Sequence, residues 1–151
     1  MRGPVVYLDS SAIVKRYVRE PGSDVIRRTY LRAYSGDVVL SCSVWNVGEV
    51  LGALDRARRL GRLSEKAYST ARRRFLLEVR RMSRLGAMLV VPARVRILAR
   101  AWRLVEEHHI YVADALQVAT AEYVRASQFM TGDGRLHDVA AKEGLNSVLL
   151  G

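Results

Sequence analysis

Short uninterrupted apolar runs alternate with amphipathic stretches along the whole chain. Val5–Leu8 reads as a buried strand, followed by a helix over about Ser10–Val18. Pro21 and Gly22 break the pattern, and a second helix covers about Asp24–Tyr34. Val38–Leu40 is the next strand. Ser43 is placed to cap a helix that runs to about Leu60 and ends at Gly61. Ser64 caps the following helix, Glu65 to about Arg84, with Leu63 and Tyr68 spaced as a hydrophobic staple. Met88–Val91 is a third strand closed by Pro92. A helix with Leu98, Trp102 and Val105 inward then reaches about Glu107. A largely apolar helix spans about Ala113–Ala126. Strands at Gln128–Thr131 and Ser147–Leu150 flank a short helix around Leu136–Glu143. Strands alternating with helices predict a parallel sheet covered on both faces. At 151 residues, without repeat or linker, the chain is expected to form one domain over 1–151.

Charge adds a partner class to this picture. The net charge is +10, and lysine occurs only at Lys15, Lys66 and Lys142, so arginine carries nearly all of the excess. A basic surface attracts phosphate-rich partners, and guanidinium grips two phosphate oxygens at once. On the Glu65–Arg84 helix, Tyr68, Ala71, Phe75, Val79 and Met82 share one face. Arg73, Arg74, Arg80, Arg81 and Arg84 fall mostly opposite them. That basic side is either a solvated face or a surface for RNA or an acidic partner. Cys42 is the only cysteine, which excludes an internal disulfide and a thiolate zinc cage. His108, His109 and His137 lack metal-ligand spacing and read as surface residues. No apolar run is long enough for a membrane span or a secretory leader, which fits a soluble, cytoplasmic protein.

Four acids occupy positions with possible chemistry. Asp9 ends the first strand, where ligands bind in parallel sheets, yet it could equally be a helix cap. Asp133, between two glycines after the fourth strand, could be an ordinary turn residue. Asp114 shares a helical stripe with Val118 and Ala121, and a helix dipole compensates poorly for burying a carboxylate there. Glu49 lies beside Trp45, Gly48 and Gly52. Two glycines inside a helix cost about 1 kcal/mol each and make sense if something packs closely there; the alternative is an exposed Glu49 on a helix that buries its other face. Asp55, one turn from Arg59, reads as a surface acid.

The segments LDSSAIVKRYVREPGS, WNVGEVLGALDRA, ADALQVATA and TGDGRL resemble, in order and spacing, the motifs of PIN-domain ribonucleases, and VapC toxins in particular. The resemblance covers essentially the whole chain. It implies an α/β fold of three α/β/α layers with a central, mainly parallel five-stranded sheet and a helical hairpin. It further implies that Asp9, Glu49, Asp114 and Asp133 hold Mg²⁺ or Mn²⁺ and hydrolyse RNA phosphodiester bonds. Ser10 and Thr131 match small hydroxyl positions that support the acids or the metal. Gly134 stands where a larger residue is common, which is expected to loosen its loop. The implied partners are an RNA substrate, a cognate antitoxin and a second copy in a homodimer. The apolar surfaces of the Ser43–Leu60 and Glu65–Arg84 helices are candidates for the protein contacts. A non-catalytic RNA-binding or complex-forming protein on the same scaffold is the alternative. Two rival α/β phosphoryl-transfer folds fit worse: LVVP ends without an acceptor acid, and Ser11 stands where a second aspartate would be needed.

Overall fold

The computed structural model describes residues 3–151, so Met1 and Arg2 of the expected 1–151 domain lie outside the described residues. Five strands appear: β1 Val5–Leu8, β2 Val39–Ser43, β3 Met88–Val91, β4 Gln128–Thr131 and β5 Ser147–Leu149. They form one sheet in the order β3-β2-β1-β4-β5, and every pairing is parallel. Parallel neighbours require crossovers, and helices supply them. These are α1 Ser10–Tyr17, α2 Ser23–Tyr34, α3 Val44–Arg59, α4 Glu65–Leu85, α5 Val95–His108, α6 Val112–Tyr123 and α7 Gly134–Lys142.

Period-two alternation divides each strand between two cores. Val6 and Leu8 of β1, Leu40 and Cys42 of β2, and Met130 of β4 face the layer containing α1 to α4. Tyr7 and Phe129 face α5 to α7 and stack on each other, with ring centroids 5.6 Å apart. With both faces covered, the strands read as continuous apolar runs, not as alternating ones. α3 and α4 form the helical hairpin. Ser64 Oγ accepts the Ala67 amide at 3.0 Å, and Gly86 ends α4 in the left-handed region at φ 73°.

Three expectations need correction. Trp102 is not inward: it is 54% exposed, and α5 buries Ile97, Ala101 and Leu104 instead. The aromatic misled the assignment because two helical stripes one residue apart are both apolar. Gly48 and Gly52 have open space where a Cβ would stand, so nothing among the described residues packs against them. Gly134 does not loosen a loop, because it is already the first residue of α7.

One buried acid was not anticipated. Glu78, within the apolar stripe of α4, accepts two bonds from the Arg16 guanidinium, at 2.9 and 3.0 Å. The Tyr17 and Tyr34 hydroxyls donate to it at 2.8 and 2.7 Å. This cluster ties α1, α2 and α4 together directly behind the helix that Asp9 opens.

Candidate active site

The chain runs from β1 outward through β2 and β3, then returns to β4 on the other side of β1. The strand order therefore reverses between β1 and β4, and their carboxyl ends flank the crevice where α/β sheets bind ligands. Asp9 follows β1 and Asp133 lies two residues beyond β4.

Asp9 is both helix cap and pocket acid. Its Oδ1 accepts the Ala12 amide at 2.9 Å and the Ser11 hydroxyl at 2.7 Å, while Oδ2 accepts the Thr131 hydroxyl at 2.7 Å. The residue is 4% exposed. Burial raises its pKa to about 6, against the lowering effect of the three donors, and Asp133 adds a small further rise. Asp133 caps α7 by accepting the Arg135 and Leu136 amides, and its own amide donates to Thr131 Oγ1 at 3.0 Å. It is exposed.

Asp114 lies in the first turn of α6 and is half-buried. Its pKa is raised by burial first, then by Asp133 and Glu49, with Arg135 opposing. Asp133 is therefore near enough to act on both Asp9 and Asp114, and Glu49 is near enough to act on Asp114. Glu49, on α3, accepts the Ser10 hydroxyl at 2.7 Å. The two expected supports are thus crossed: Ser10, beside Asp9, holds Glu49, while Thr131, near Asp133, holds Asp9.

The family model for the PIN domain matches residues 6–142. The chain belongs to the PIN-domain family. Ribonuclease VapC46 of Mycobacterium tuberculosis is 35% identical over 144 residues, 93% of each chain. VapC20 of Mycobacterium tuberculosis, a Sarcin-Ricin loop cleaving toxin, shares the fold at TM-score 0.62 and 17% identity, over 93% of this chain and 95% of its own. So does VapBC2 of Rickettsia felis, bound to a DNA fragment from their promoter. There the TM-score is 0.57 at 13% identity, over 85% of this chain and 87% of that one.

The crevice offers oxygen ligands, carboxylates with the Ser10, Ser11 and Thr131 hydroxyls beside them, the donor set of a hard divalent cation. Burial, and after it repulsion from Asp133, raise the proton affinity of Asp9 and of Asp114, so each would gain from a nearby cation. The four acids do not close into a tight cage. Among the described residues the only trio of His, Cys, Asp or Glu with ligand atoms within 4.8 Å of one another is Glu107, His108 and Glu143. A quartet spaced more widely than that leaves room for water ligands beside the carboxylates on a hard divalent cation. The Glu107 trio is an ion network instead. Glu143 is already bonded to Arg100 at 2.6 Å and to His108 Nε2 at 2.7 Å. His108 and His137 are accordingly half-buried with partners, not surface residues, and only His109 is exposed.

Sequence reasoning missed the floor of this PIN site. Asn46 is fully buried, and its Nδ2 donates to Ser10 Oγ at 2.7 Å and to Gln117 Oε1 at 2.8 Å. Its Oδ1 accepts the Ser43 amide at 2.7 Å, and the Tyr7 hydroxyl donates to Gln117 Oε1 at 2.8 Å. Asn46 therefore connects α3 to Ser10 of α1 and to Gln117, one turn beyond Asp114 on α6. The signal was present in Ser43 and Asn46, three apart, which form a capping box. Removing the amide takes a donor from Ser10 Oγ, one of two donors from Gln117 Oε1 and a weaker one, at 3.4 Å, from Glu49, and it takes the acceptor from the buried Ser43 amide. Asn46→Ala is expected to lose about 1–3 kcal/mol of stability. RNA cleavage at a temperature where the variant remains folded should fall roughly 10–100-fold. Thermal melting and initial rates on the same preparation check both.

Proposed function

We propose that the chain is a metal-dependent endoribonuclease of the VapC type, the toxin of a toxin–antitoxin pair. The observation that carries this reading is the placement of Asp9, Glu49, Asp114 and Asp133 around the crevice between β1 and β4. Each is reached from a different element, and three are bound to a supporting group. The similarity to Ribonuclease VapC46 along nearly the full length supports RNA as the substrate.

Asp9, Glu49, Asp114 and Asp133 would hold the ion, with Ser10, Ser11 and Thr131 fixing the carboxylates. When bound, Mg²⁺ or Mn²⁺ supplies charge to neutralise the phosphate oxygens and lowers the pKa of an attacking water. The chain's own part is orientation. Three donors fix Asp9 rigidly, and the Ser10–Asn46 floor sets Glu49 opposite it. Exposed Asp133 leaves that side open to a strand of RNA.

A cognate antitoxin is the proposed protein partner. Val14 of α1 and Val18 just beyond it face Ala53 and Ala57 of α3, the helix that carries Glu49, across a groove of about 270 Å³. Gly48 and Gly52 leave that helix bare toward solvent. Exposed Val44 and Trp45 at the start of α3 suit contact with a second copy in a homodimer. No helix among the described residues is long and apolar enough to cross a membrane. We place the protein in the cytoplasm, with its RNA. Chelation tests the metal: EDTA should stop RNA cleavage by the purified protein, and excess Mg²⁺ or Mn²⁺ should restore it. Cleavage that persists in EDTA would overturn the metal mechanism.

A further inference from the structure

The basic side of the α1–α2–α4 layer carries two grooves, which meet at a cleft lined by Arg16, Arg74, Leu77, Glu78 and Arg81. Arg80, Arg81 and Arg84 border a groove floored by Leu77 and Leu85, which are 48% and 65% exposed. Arg74 belongs to a different groove, of about 380 Å³, between the end of α1, the start of α2 and α4. Its charged lining is Lys15, Arg16, Arg19, Arg27 and Arg74 against Asp24. We propose that this second groove binds phosphates of single-stranded RNA beside the scissile bond. The inference rests on the ribonuclease reading and adds a place for the substrate's backbone.

Three of the five cations are already matched. Arg16 is held by Glu78, Lys15 by Glu20 at 3.1 Å, and Arg19 by Asp24 at 3.4 Å. Arg27 and Arg74 have no ion-pair partner among the described residues, and both are exposed. The Arg74 guanidinium lies 5.8 Å from the centre of the Tyr17 ring, which steadies it toward the groove. Two unneutralised guanidiniums in a polar cleft select an anion with several oxygens.

Lys15 joins this groove to the carboxylates. Its stem lies against two glycines. A Cβ added at Gly132 would stand 3.0 Å from Lys15 Cε and 3.3 Å from Nζ, and one at Gly22 would stand 3.2 Å from Cδ. The Gly132 amide in turn donates to Ser11 Oγ at 2.8 Å, and Ser11 donates to Asp9. Lys15, in the wall of the groove, thus lies against the residue that precedes Asp133 in the chain. A strand whose scissile phosphate sits at the acids meets positive charge on leaving them.

The groove offers little to a base. Tyr17, its only aromatic, is 9% exposed and presents no free face for stacking. Recognition there is of the backbone, and it is independent of sequence. An apolar or acidic peptide finds its better match in the Leu77–Leu85 groove.

The test measures binding of a fluorescent single-stranded RNA across a salt series, using the intact chain carrying Asp133→Asn to suppress cleavage. Adding Arg27→Ala and Arg74→Ala together should lower affinity about tenfold. The slope of log affinity against log salt should shrink by about 0.7 per lost phosphate contact. A charge-matched pair on the opposite layer, Arg96→Ala with Arg103→Ala, should leave the slope in place. An unchanged slope for the Arg27/Arg74 pair overturns the proposal. So does unchanged RNA binding with weakened antitoxin binding, which would assign the groove to a protein. Cleavage by the parent with Mg²⁺ is scored separately. If it is absent, the ribonuclease reading falls; if it is present with an unchanged slope, the groove assignment falls alone.

Discussion

Asp9→Asn is expected to raise the melting temperature of the metal-free protein at pH 8. Burial lifts the Asp9 pKa from 3.8 to about 6 despite three hydrogen bonds. The folded chain therefore binds more protons than the unfolded chain between those values. Stability falls as pH rises through that window and stays lower above it. At about 1.4 kcal/mol per pKa unit, keeping Asp9 ionised in the empty fold costs on the order of 3 kcal/mol. Asparagine carries no charge, and its amide can donate to Thr131 Oγ1, which now donates to Asp9. Allowing for an imperfect exchange of that bond, a gain of about 2 kcal/mol, or roughly 4–8 °C, is expected at pH 8. The gap should close at about pH 4 and narrow when Mg²⁺ is added, since an ion bound only by the folded parent stabilises it. Scanning calorimetry at several pH values with EDTA checks this. A variant that melts below the parent at pH 8, by the same margin at every pH, would refute the strained carboxylate.

Glu78→Ala should have the largest effect on stability. Burial pushes the Glu78 pKa up, but the bonds from Arg16, Tyr34 and Tyr17 outweigh it and hold the carboxyl below the ordinary range. A depressed carboxyl adds stability above its unfolded pKa, and that stability is lost as pH falls through the folded value. Truncation leaves the Arg16 guanidinium, 17% exposed, without its anion, and two tyrosine hydroxyls without an acceptor. Breaking a buried pair from one side costs about 3–5 kcal/mol. Urea unfolding should show that loss, with a smaller one for Glu78→Gln, which keeps an acceptor oxygen. Because Arg16 sits on the helix opened by Asp9, cleavage should fall in parallel with unfolding. A loss under about 1 kcal/mol would mean that solvent already satisfies the cluster.

Most of the fold could be read from the chain because its signals were local. Apolar runs at Val5–Leu8 and Gln128–Thr131 mark strands buried on both faces, and Ser43, Ser64 and Gly86 mark helix ends through their own backbone chemistry. The failures were matters of neighbourhood. Trp102 and Ile97 lie on adjacent stripes of one apolar helix, and only the packing of α6 decides which stripe is covered. Glu78 reads as an interruption of an apolar face until Arg16, 62 positions away, is brought against it.

The candidate site divides in the same way. Asp9 and Asp133 could be placed at strand ends by position and Asp114 stood out as an acid on an apolar stripe, whereas Glu49 needed the family's motif order. Asn46 and Gln117 went unread because an internal amide declares its role only through its partners. The swap by which Ser10 serves Glu49 and Thr131 serves Asp9 is likewise a product of three-dimensional packing, not of adjacency.

The central claim is that four carboxylates from four elements make one metal-dependent site for RNA. It is tested most directly by cleavage of RNA with the purified chain in Mg²⁺, beside Asp9→Asn, Glu49→Gln, Asp114→Asn and Asp133→Asn at equal concentration. Each variant should remain folded and cut at least about 100-fold more slowly than the parent, since each removes one charge from the same ion. A parent that does not cut, or a folded Asp9→Asn or Asp114→Asn variant that cuts as fast as the parent, would contradict the account.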